Sequence, residues 1–446
     1  MFKYLFFLRM VVCSTLSLGL ATADVKASAY VALEMQSTHE VIPYARQYRA
    51  DPRLSPEQEQ ERLKKLLAQT YDMLPHYAVT EELKNSVEEF VDDTLSMEIV
   101  DTSDFTIIDA RTTEFYGKSH DIVFLVQDQK GQVCYVVKAF QNPSQLSGRF
   151  LPEISAMDLI QGMHLPGIVP IEPIAFAICH EGNNEWGLLL ESAAPGRRLD
   201  QYVFDLAKEK TASAEREQCL KVAKTAFKRM GRSLALLHAV KSTEKLPLHS
   251  SILAKYDDKL NKVLREPFII DQLSKYFSLS QLTHYVDEVK KAALQVPLFH
   301  TYAHGDTNLG NVFYDDEKDS ISFIDLYGMH QSVNISGQPI SDPIIDLVRA
   351  EDGFRKKAAK LLTADEIEIL ITSFYTAYRD IGGSTPDESH LRFYKTYISL
   401  WRLILGSHYI DEKDPTRREF DKATFEEGIE YLNAQLTQRM PNTSTE

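Results

Sequence analysis

The sequence is poor in cysteine and in cationic side chains. Its 446 residues include 4 cysteines, 49 lysines and arginines, and 64 aspartates and glutamates, so its formal net charge is −15. So few cysteines in so long a chain do not make a disulfide framework. An acidic protein is a poor candidate for binding nucleic acid or anionic lipid, because both need clustered lysine and arginine. We therefore expect no nucleic-acid partner.

The chain also lacks a long apolar run after its N-terminus. At the N-terminus itself, Lys3 and Arg9 make a positive segment, an apolar stretch covers residues 10–20, and Ala21-Thr22-Ala23 has the small residues of a cleavage site. This pattern predicts a signal peptide over residues 1–23 and a secreted or periplasmic protein, with no stable membrane insertion after the signal is removed. The alternative is an N-terminal membrane anchor with a cytoplasmic enzyme.

Helix and strand patterns divide the rest of the chain into three regions. Residues 24–100 contain helix starts at Ser55-Pro56-Glu57 and Thr80-Glu81-Glu82, which predict a helical N-terminal extension. Residues 101–194 alternate β-rich runs with turn signals, which predict a small antiparallel sheet with one helix inserted near residues 152–163. The β-rich runs are FTIID, IVFLVQD, VCYVVKAF, GIVPIEPIAFAI and EWGLLLES.

Residues 195–446 have mainly helical periods. Ala223, Phe227, Met230, Leu234 and Leu237 recur three or four residues apart and predict an amphipathic helix that ends near His238. Two short strands interrupt the helical sequence. The predicted fold class is therefore α+β, with a small antiparallel β lobe followed by a larger helical lobe.

The segment HGDTNLGN, at residues 304–311, is followed by ISFIDLYGM and has the residue types that phosphoryl transfer needs. Asp306 can align an acceptor hydroxyl and take its proton, while Asn311 and Asp325 offer the oxygen ligands that Mg²⁺ prefers. The order Asp, Asn five residues later, and Asp on the next strand matches kinase catalytic and metal-binding segments. Gly305 stands where protein kinases usually have arginine.

The HGDxxxxN pattern resembles that of the aminoglycoside phosphotransferase and choline kinase family, whose members have a bilobal protein-kinase-like fold. Other stretches agree in order over residues 105–405, namely YVVKAF, LLLESAAPGRRL, GRSLALLHAV and SDPIIDLVRA. The resemblance implies that Lys138 pairs with the nucleotide phosphates, that backbone groups around Glu191 and Ala193 bind adenine, and that Asp346 braces the catalytic loop. It implies ATP and Mg²⁺ as cofactors.

Other positions have two interpretations or depart from the family pattern. Glu153 is the expected salt-bridge partner of Lys138, but an acid after Pro152 also suits the first turn of a helix. No GxGxxG is present, and FYGKSHDIVFLV offers only Gly117 and Ser119 as phosphate-binding residues.

Three further positions bear on the metal site and the lobe structure. Tyr327 stands where some family members have a second acid, which leaves Asn311 and Asp325 as the predicted metal ligands. Asp342-Pro343 is typical of a helix N-terminus, and His238 of a packed histidine at a helix end.

These patterns predict an ATP- and Mg²⁺-dependent kinase that phosphorylates a hydroxyl of a small polar molecule such as an amino sugar or amino alcohol. A cationic acceptor suits the acidic chain. One route for an exported kinase is a secreted effector that meets ATP inside another cell. The alternatives are a protein acceptor, nucleotidyl transfer at the same site, and a nucleotide-binding pseudokinase. Against the pseudokinase, the residues expected of a competent site are all present: Lys138, Asp306, Asn311 and Asp325.

Overall fold

The computed structural model describes most of the chain after residue 78. The described residues are 79–97, 102–110, 122–141, 150–181, 184–208, 214–240, 267–295, 301–330, 339, 341–359, 361–383, 388–406 and 415–439. The signal predicted at residues 1–23 and the helix start predicted at Ser55-Pro56-Glu57 lie outside them. Among the helices of this described part, none is long and apolar enough to cross a membrane.

A five-stranded antiparallel sheet forms the first lobe. Its strands lie in the spatial order β1-β2-β3-β5-β4. They are β1 (Thr106–Asp109), β2 (Ile122–Gln127), β3 (Val133–Gln141), β4 (Pro173–Glu181) and β5 (Asn184–Ser192). Along β2, buried side chains alternate with half-buried ones, as they do in a strand with one face on a core. The predicted antiparallel sheet is confirmed.

Two helices accompany this sheet. Helix α1 (Glu81–Met97) buries Leu83, Val87 and Phe90 in the same hydrophobic cluster as the inner face of the sheet. The Thr80 hydroxyl accepts a hydrogen bond from the Leu83 N–H, so the helix begins where the sequence predicted. Helix α2 (Phe150–Met163) lies between β3 and β4 in the chain, as predicted. The described end of the N-terminal extension is thus part of the β-lobe core.

One predicted strand is shorter than its apolar sequence suggested. Strand β4 begins at Pro173, and residues 167–172 lie outside it, where Ile168 makes only an isolated bridge to Ile321. Pro170 has no N–H to donate to a strand ladder, so the run GIVPIEP does not continue as regular strand.

The second lobe is mainly helical. Its helices are α3 (Leu199–Lys208), α4 (Ala214–Ala239), α5 (Pro267–Ser274), α6 (Leu279–Gln295), α7 (Tyr327–His330), α8 (Ile344–Ala358), α9 (Ala364–Asp380), α10 (Glu388–Gly406) and α11 (Pro415–Arg439). The apolar stripe predicted for α4 is buried throughout. The bilobal arrangement predicted from the sequence is confirmed.

A small three-stranded sheet carries the HGDTNLGN segment on the helical lobe. Its strands are β6 (Arg197–Arg198), β7 (Val312–Asp315) and β8 (Ser320–Phe323), in that spatial order. A 3₁₀ turn over Leu309–Asn311 leads directly into β7, and the Asn308 side chain caps this turn by accepting the Gly310 N–H at 2.9 Å. The loop before β7 and the loop after β8 therefore lie at the same end of one hairpin.

Candidate active site

Lys138 lies on β3 with its ammonium group buried between two carboxylates. Its Nζ is 2.8 Å from Glu153 Oε1 and 3.3 Å from Glu191 Oε1. The residue is only 8% exposed. Burial by itself lowers the pKa of Lys138, but the charges of Glu153, Glu191 and Asp325 outweigh burial and raise that pKa above its ordinary value. The structure therefore holds a permanent positive charge here.

Glu153 connects Lys138 to the loop that carries Asp325. The same oxygen, Oε1, accepts the Lys138 ammonium and the backbone N–H of Leu326, the latter at 3.0 Å. Glu153 also lies in the first turn of α2. It is therefore both the salt-bridge partner of Lys138 and an acid at a helix start. A single carboxylate thus joins the β lobe to the predicted metal-binding loop of the helical lobe.

The side chain of Glu191 also belongs to this cluster, whereas the sequence analysis assigned a role only to the backbone around it. Strand register pairs Val136 with Glu191 and Lys138 with Leu189, which places Glu191 on the same face of the sheet as Lys138. Burial raises the pKa of Glu191 to about 7, although Lys138 pulls it in the opposite direction. Its Oε2 is buried and has no hydrogen-bond partner among the described residues. An acid inside the apolar run LLLES was the signal that sequence reasoning did not use.

Ala193 follows directly after β5. Its N–H donates to the Cys134 carbonyl at 3.1 Å and so extends the pairing of β3 with β5. This N–H is therefore occupied, which leaves the carbonyl as the remaining backbone group of Ala193 for a ligand. The adenine-binding role implied by the resemblance stays a prediction for both Glu191 and Ala193.

Asp306 and Asn311 face each other across the catalytic loop. The Asn311 Nδ2 donates to the Asp306 backbone carbonyl at 3.0 Å and lies 3.3 Å from Asp306 Oδ2. Because the amide nitrogen is turned toward Asp306, the Asn311 Oδ1 is the atom available to a cation. The Asp306 side chain is 40% exposed, so a substrate can reach it.

Asp325 has an unusual backbone conformation. Its φ is +58°, in the left-handed region that few residues other than glycine adopt, although aspartate tolerates it better than most. Such conformations persist where the surrounding structure enforces them, and here Glu153 holds the next residue by its N–H. Together with Asn311, Asp325 offers two oxygen donors, which fits Mg²⁺ because this ion keeps several water ligands. In the residues the structure describes, no group of three or more His, Cys, Asp or Glu side chains could hold a metal.

The backbone conformation and a close contact explain why residue 305, in the HGD segment, is a glycine. Gly305 has a φ of +84°, and a Cβ there would lie 3.0 Å from the backbone of Gly328. A Cβ on Gly328 would in turn lie 2.5 Å from the His304 carbonyl. The catalytic loop and the segment after Asp325 therefore contact each other backbone to backbone, which two glycines permit.

Asp346 supports the catalytic loop, as the resemblance implied. Its carboxylate is fully buried and accepts the N–H groups of His304 and Gly305, each at 2.7 Å. It also lies 3.1 Å from His238 Nε2. Burial works against ionisation, but the contacts with His238, His304 and Gly305 lower the pKa of Asp346 below its ordinary value. His238 also contacts the Tyr378 hydroxyl, at 2.9 Å, so it is the packed histidine that the sequence predicted.

His304 links the two ends of the site. Its Nε2–H donates to the Ile324 carbonyl at 3.0 Å, and its Nδ1 accepts the Asp306 N–H at 3.1 Å. The imidazole thereby fixes the backbone at Asp306 relative to the residue before Asp325. The first residue of the HGD motif is buried completely and acts through its position rather than through exposure to a substrate.

Arg349 is a site residue that sequence reasoning missed. It lies on α8, three residues after Asp346, and its Nη1 donates to Asp306 Oδ1 at 2.6 Å. The two other predicted residues, Gly117 and Ser119, lie outside the described residues. The described structure thus brings Lys138, Glu153 and Glu191 together in one buried cluster and joins Asp306 to Asn311 in one loop.

Comparison with known proteins matches part of the chain to one family. Residues 113–332 match the model of the phosphotransferase enzyme family, APH. Over these residues, just under half of its length, the chain is similar to this family. The matched residues include Lys138, Glu153, Asp306, Asn311 and Asp325. The protein is accordingly an enzyme of the phosphotransferase class.

Solved structures of several kinases are also similar to this chain. An aminoglycoside phosphotransferase from Streptomyces rimosus, solved with ADP and streptomycin, is 18% identical, with 69% of this chain and 96% of that chain covered and a TM-score of 0.40. An ethanolamine kinase from Plasmodium vivax is 17% identical, with 87% and 95% covered and a TM-score of 0.43. A glucosamine kinase is 14% identical, with 79% and 82% covered and a TM-score of 0.43. No curated protein matches the chain.

Proposed function

We propose that this phosphotransferase uses ATP and Mg²⁺ to phosphorylate a hydroxyl group of a small polar molecule. The observation that carries the proposal is the contact of Glu153 with both Lys138 and the Leu326 N–H. This contact sets a buried positive charge beside the loop of Asp325. The hairpin that carries Asp325 also carries Asp306 and Asn311, so the residues proposed to bind metal and acceptor come from one hairpin, which Glu153 links to Lys138.

The chain's own residues have distinct roles in the proposed reaction. Lys138 binds phosphate oxygens of ATP. Asn311 and Asp325 would hold Mg²⁺, which neutralises phosphate charge when bound. Asp306 aligns the acceptor hydroxyl, whose oxygen forms a bond to the γ-phosphorus while the bond from that phosphorus to the β–γ bridging oxygen breaks. The hydroxyl proton passes to Asp306, and ADP leaves with the bonding electrons.

The acceptor is proposed at the level of a small hydroxyl compound. Amino sugars and amino alcohols are the first compounds to test, because the family resemblance suggests them and because a net charge of −15 attracts cations at long range. Phosphorylation of a protein, or transfer of a nucleotidyl group, would be separated from this proposal by the mass of the product.

We also propose that residues 1–23 are a cleaved signal and that the mature enzyme acts outside the cytoplasm of the cell that makes it. The pattern of Lys3, Arg9 and the Ala21-Thr22-Ala23 site supports this. Cell fractionation of a C-terminally tagged full-length protein tests it by location and by mass. Purely cytosolic, unprocessed protein would contradict the proposal.

Calorimetric titration with ATP, with and without Mg²⁺, tests the nucleotide site. Wild-type protein should bind ATP more tightly with Mg²⁺, and Asp325→Ala should lose that metal dependence. Asp306→Ala should keep nucleotide binding but lose turnover by about 10²-fold or more, as expected when a proton acceptor is removed. Asp316→Ala is the matched control, because Asp316 is exposed on the β7–β8 turn. Full activity in Asp306→Ala would exclude the proposed mechanism.

A further inference from the structure

The ammonium group of Lys138 has two carboxylate partners, and the second of them has few contacts of its own. Glu153 Oε1 lies 2.8 Å from Lys138 Nζ and also accepts the Leu326 N–H. Glu191 Oε1 lies farther away, at 3.3 Å, and Glu191 Oε2 is buried with no hydrogen-bond donor among the described residues. A buried carboxylate oxygen without a donor bears the cost of its desolvation. Of the two acids, Glu191 therefore gains more from becoming neutral.

The surroundings of Glu191 bring one cation and two further acids to bear on it. Strand β3 contributes Lys138, whereas strand β4 places the uncharged Pro173 opposite Glu191. The acids whose charges act on Glu191 are Glu153 on α2 and Asp325 after β8. When every group is ionised, the cluster thus has more negative than positive charge, and a phosphate group that binds to Lys138 adds to this excess.

We propose that Glu191 is a positioning residue for ATP, which holds the Lys138 ammonium group in the free enzyme and takes up a proton when phosphate binds to that group. The proton comes from solvent and converts the carboxylate into a neutral carboxylic acid, with no other bond made or broken. Neutral Glu191 no longer competes with phosphate oxygens for Lys138. This inference rests on the proposed function, because it takes Lys138 as a phosphate-binding residue.

Glu191 suits this role better than Glu153 does. Hydrogen bonds to the charged form of an acid favour that form, and Glu153 accepts two of them, from Lys138 and from Leu326. Burial raises the pKa of Glu191 to about 7, so both of its forms are populated near neutral pH. ATP with bound Mg²⁺ still carries net negative charge, and a like charge nearby raises the pKa of an acid further. The proton is therefore taken up at Glu191.

Proton uptake makes the affinity for ATP depend on pH. Above pH 7 the free enzyme must gain a proton on binding, so affinity falls as the pH rises, by up to about tenfold per pH unit until the pKa of Glu191 in the complex is reached. Well below pH 7 the free enzyme already holds the proton, and Glu191 no longer affects binding. The Kd of the wild-type protein for ATP should therefore increase by about fourfold or more between pH 7 and pH 8.5.

Calorimetric titration with ATP and Mg²⁺ at pH 8, in buffers of different ionisation enthalpy, counts the protons taken up. Wild type should take up about half a proton or more in excess of Glu191→Gln, which mimics the protonated acid. Protons exchanged by the nucleotide itself are the same in both proteins and cancel. Glu185→Gln is the matched control and should behave as wild type, because Glu185 lies at the other end of β5, opposite His180 of β4.

Titration of the wild-type protein with adenosine shows whether phosphate causes the uptake. Adenosine has no phosphate to bring to Lys138, so it should bind without proton uptake and with constant affinity between pH 7 and pH 8.5. Uptake as large as that with ATP would overturn the inference, because the phosphate contact would not be its cause. Thermal unfolding of each variant shows whether it is folded.

The outcomes separate the inference from the proposed function. ATP binding with the same proton uptake in wild type and in Glu191→Gln would overturn the inference and leave the proposed function intact. A wild-type Kd for ATP that stays constant from pH 7 to pH 8.5 would do the same, and it needs no variant. Loss of ATP binding in folded Glu191→Gln at every pH would also overturn the inference, because a neutral side chain should bind ATP as well as protonated Glu191 does. A wild-type protein that binds no ATP at any pH would overturn both.

Discussion

The two charged clusters of this phosphotransferase differ in their exposure to solvent. The side chains of Lys138, Glu153 and Glu191 are 10%, 2% and 3% exposed, whereas those of Arg349 and Asp306 are 24% and 40% exposed. A buried cluster holds its charges in fixed positions but is costly to disrupt, because any charge left alone is desolvated. An exposed pair contributes little to stability, because water screens it. The buried cluster should therefore contribute much more to stability than the exposed pair.

Removing the central charge of the buried cluster should have the largest effect on stability. Lys138→Met leaves Glu153 and Glu191 buried without a cation, which should lower the free energy of unfolding by about 3–5 kcal/mol. ATP binding should be lost as well. Urea unfolding measures the first effect and calorimetry the second. Lys208→Met is the matched control, because Lys208 is exposed on α3. A Lys138 variant as stable as this control would show that the buried carboxylates do not need the Lys138 charge.

The second carboxylate of the cluster should make stability depend on pH. The pKa of Glu191 is raised by burial to about 7 from an ordinary value of 4.5. Between these values the folded protein binds a proton that the unfolded chain has lost, so stability falls as the pH rises through this window and the full cost is reached above pH 7.

Glu191→Gln should remove this dependence. The variant should gain roughly 3 kcal/mol of stability relative to wild type between pH 5 and pH 8, at about 1.4 kcal/mol per unit of pKa shift. Urea unfolding at several pH values across that range measures the gain. Parallel curves for the two proteins would mean that Glu191 is ionised without penalty. Asp346, whose pKa is lowered, does not titrate in this window.

The sequence was sufficient to locate the polar residues of the candidate site, and the roles assigned to them stay predictions. Asp306, Asn311, Asp325 and Lys138 were identifiable because their order along the chain is local and fixed by one hairpin and one strand. The bilobal fold and the bracing role of Asp346 were also predicted correctly.

What the sequence did not reveal depends on contacts between distant segments. Arg349 follows Asp346 in an ordinary helical sequence, and only packing of α8 on the catalytic loop shows that it contacts Asp306. The sequence analysis gave Glu191 a role only through its backbone. The face that its side chain occupies is decided by the strand register, which no single segment reveals. For the same reason, the pairing of Ala193 with Cys134 could not be predicted from either segment alone.

Disrupting the backbone contact between the two loops of the site should lower stability by an intermediate amount. Gly305→Ala forces alanine into a φ of +84° and places its Cβ 3.0 Å from Gly328, which should cost about 1–3 kcal/mol and displace Asp306. Gly131→Ala separates the two causes, because Gly131 has a φ of +77° and a Cβ added there would have no atom within 4 Å. Urea unfolding and ATP hydrolysis measure stability and turnover. We expect both variants to lose stability but only Gly305→Ala to lose turnover.

Removing the exposed ion pair of Arg349 and Asp306 should change stability least but should change turnover strongly. Arg349→Gln should alter the free energy of unfolding by about 1 kcal/mol or less, because a pair exposed to this extent is screened by water and salt. Urea unfolding at low and high salt measures this, and the difference between wild type and variant should shrink as salt rises. A loss as large as that in Lys138→Met would place Arg349 among the structural charges and explain lost turnover by unfolding. A stable variant with impaired turnover would instead show that the catalytic loop keeps its fold through Asp346 and its alignment through Arg349, two separate tasks performed by one turn of α8.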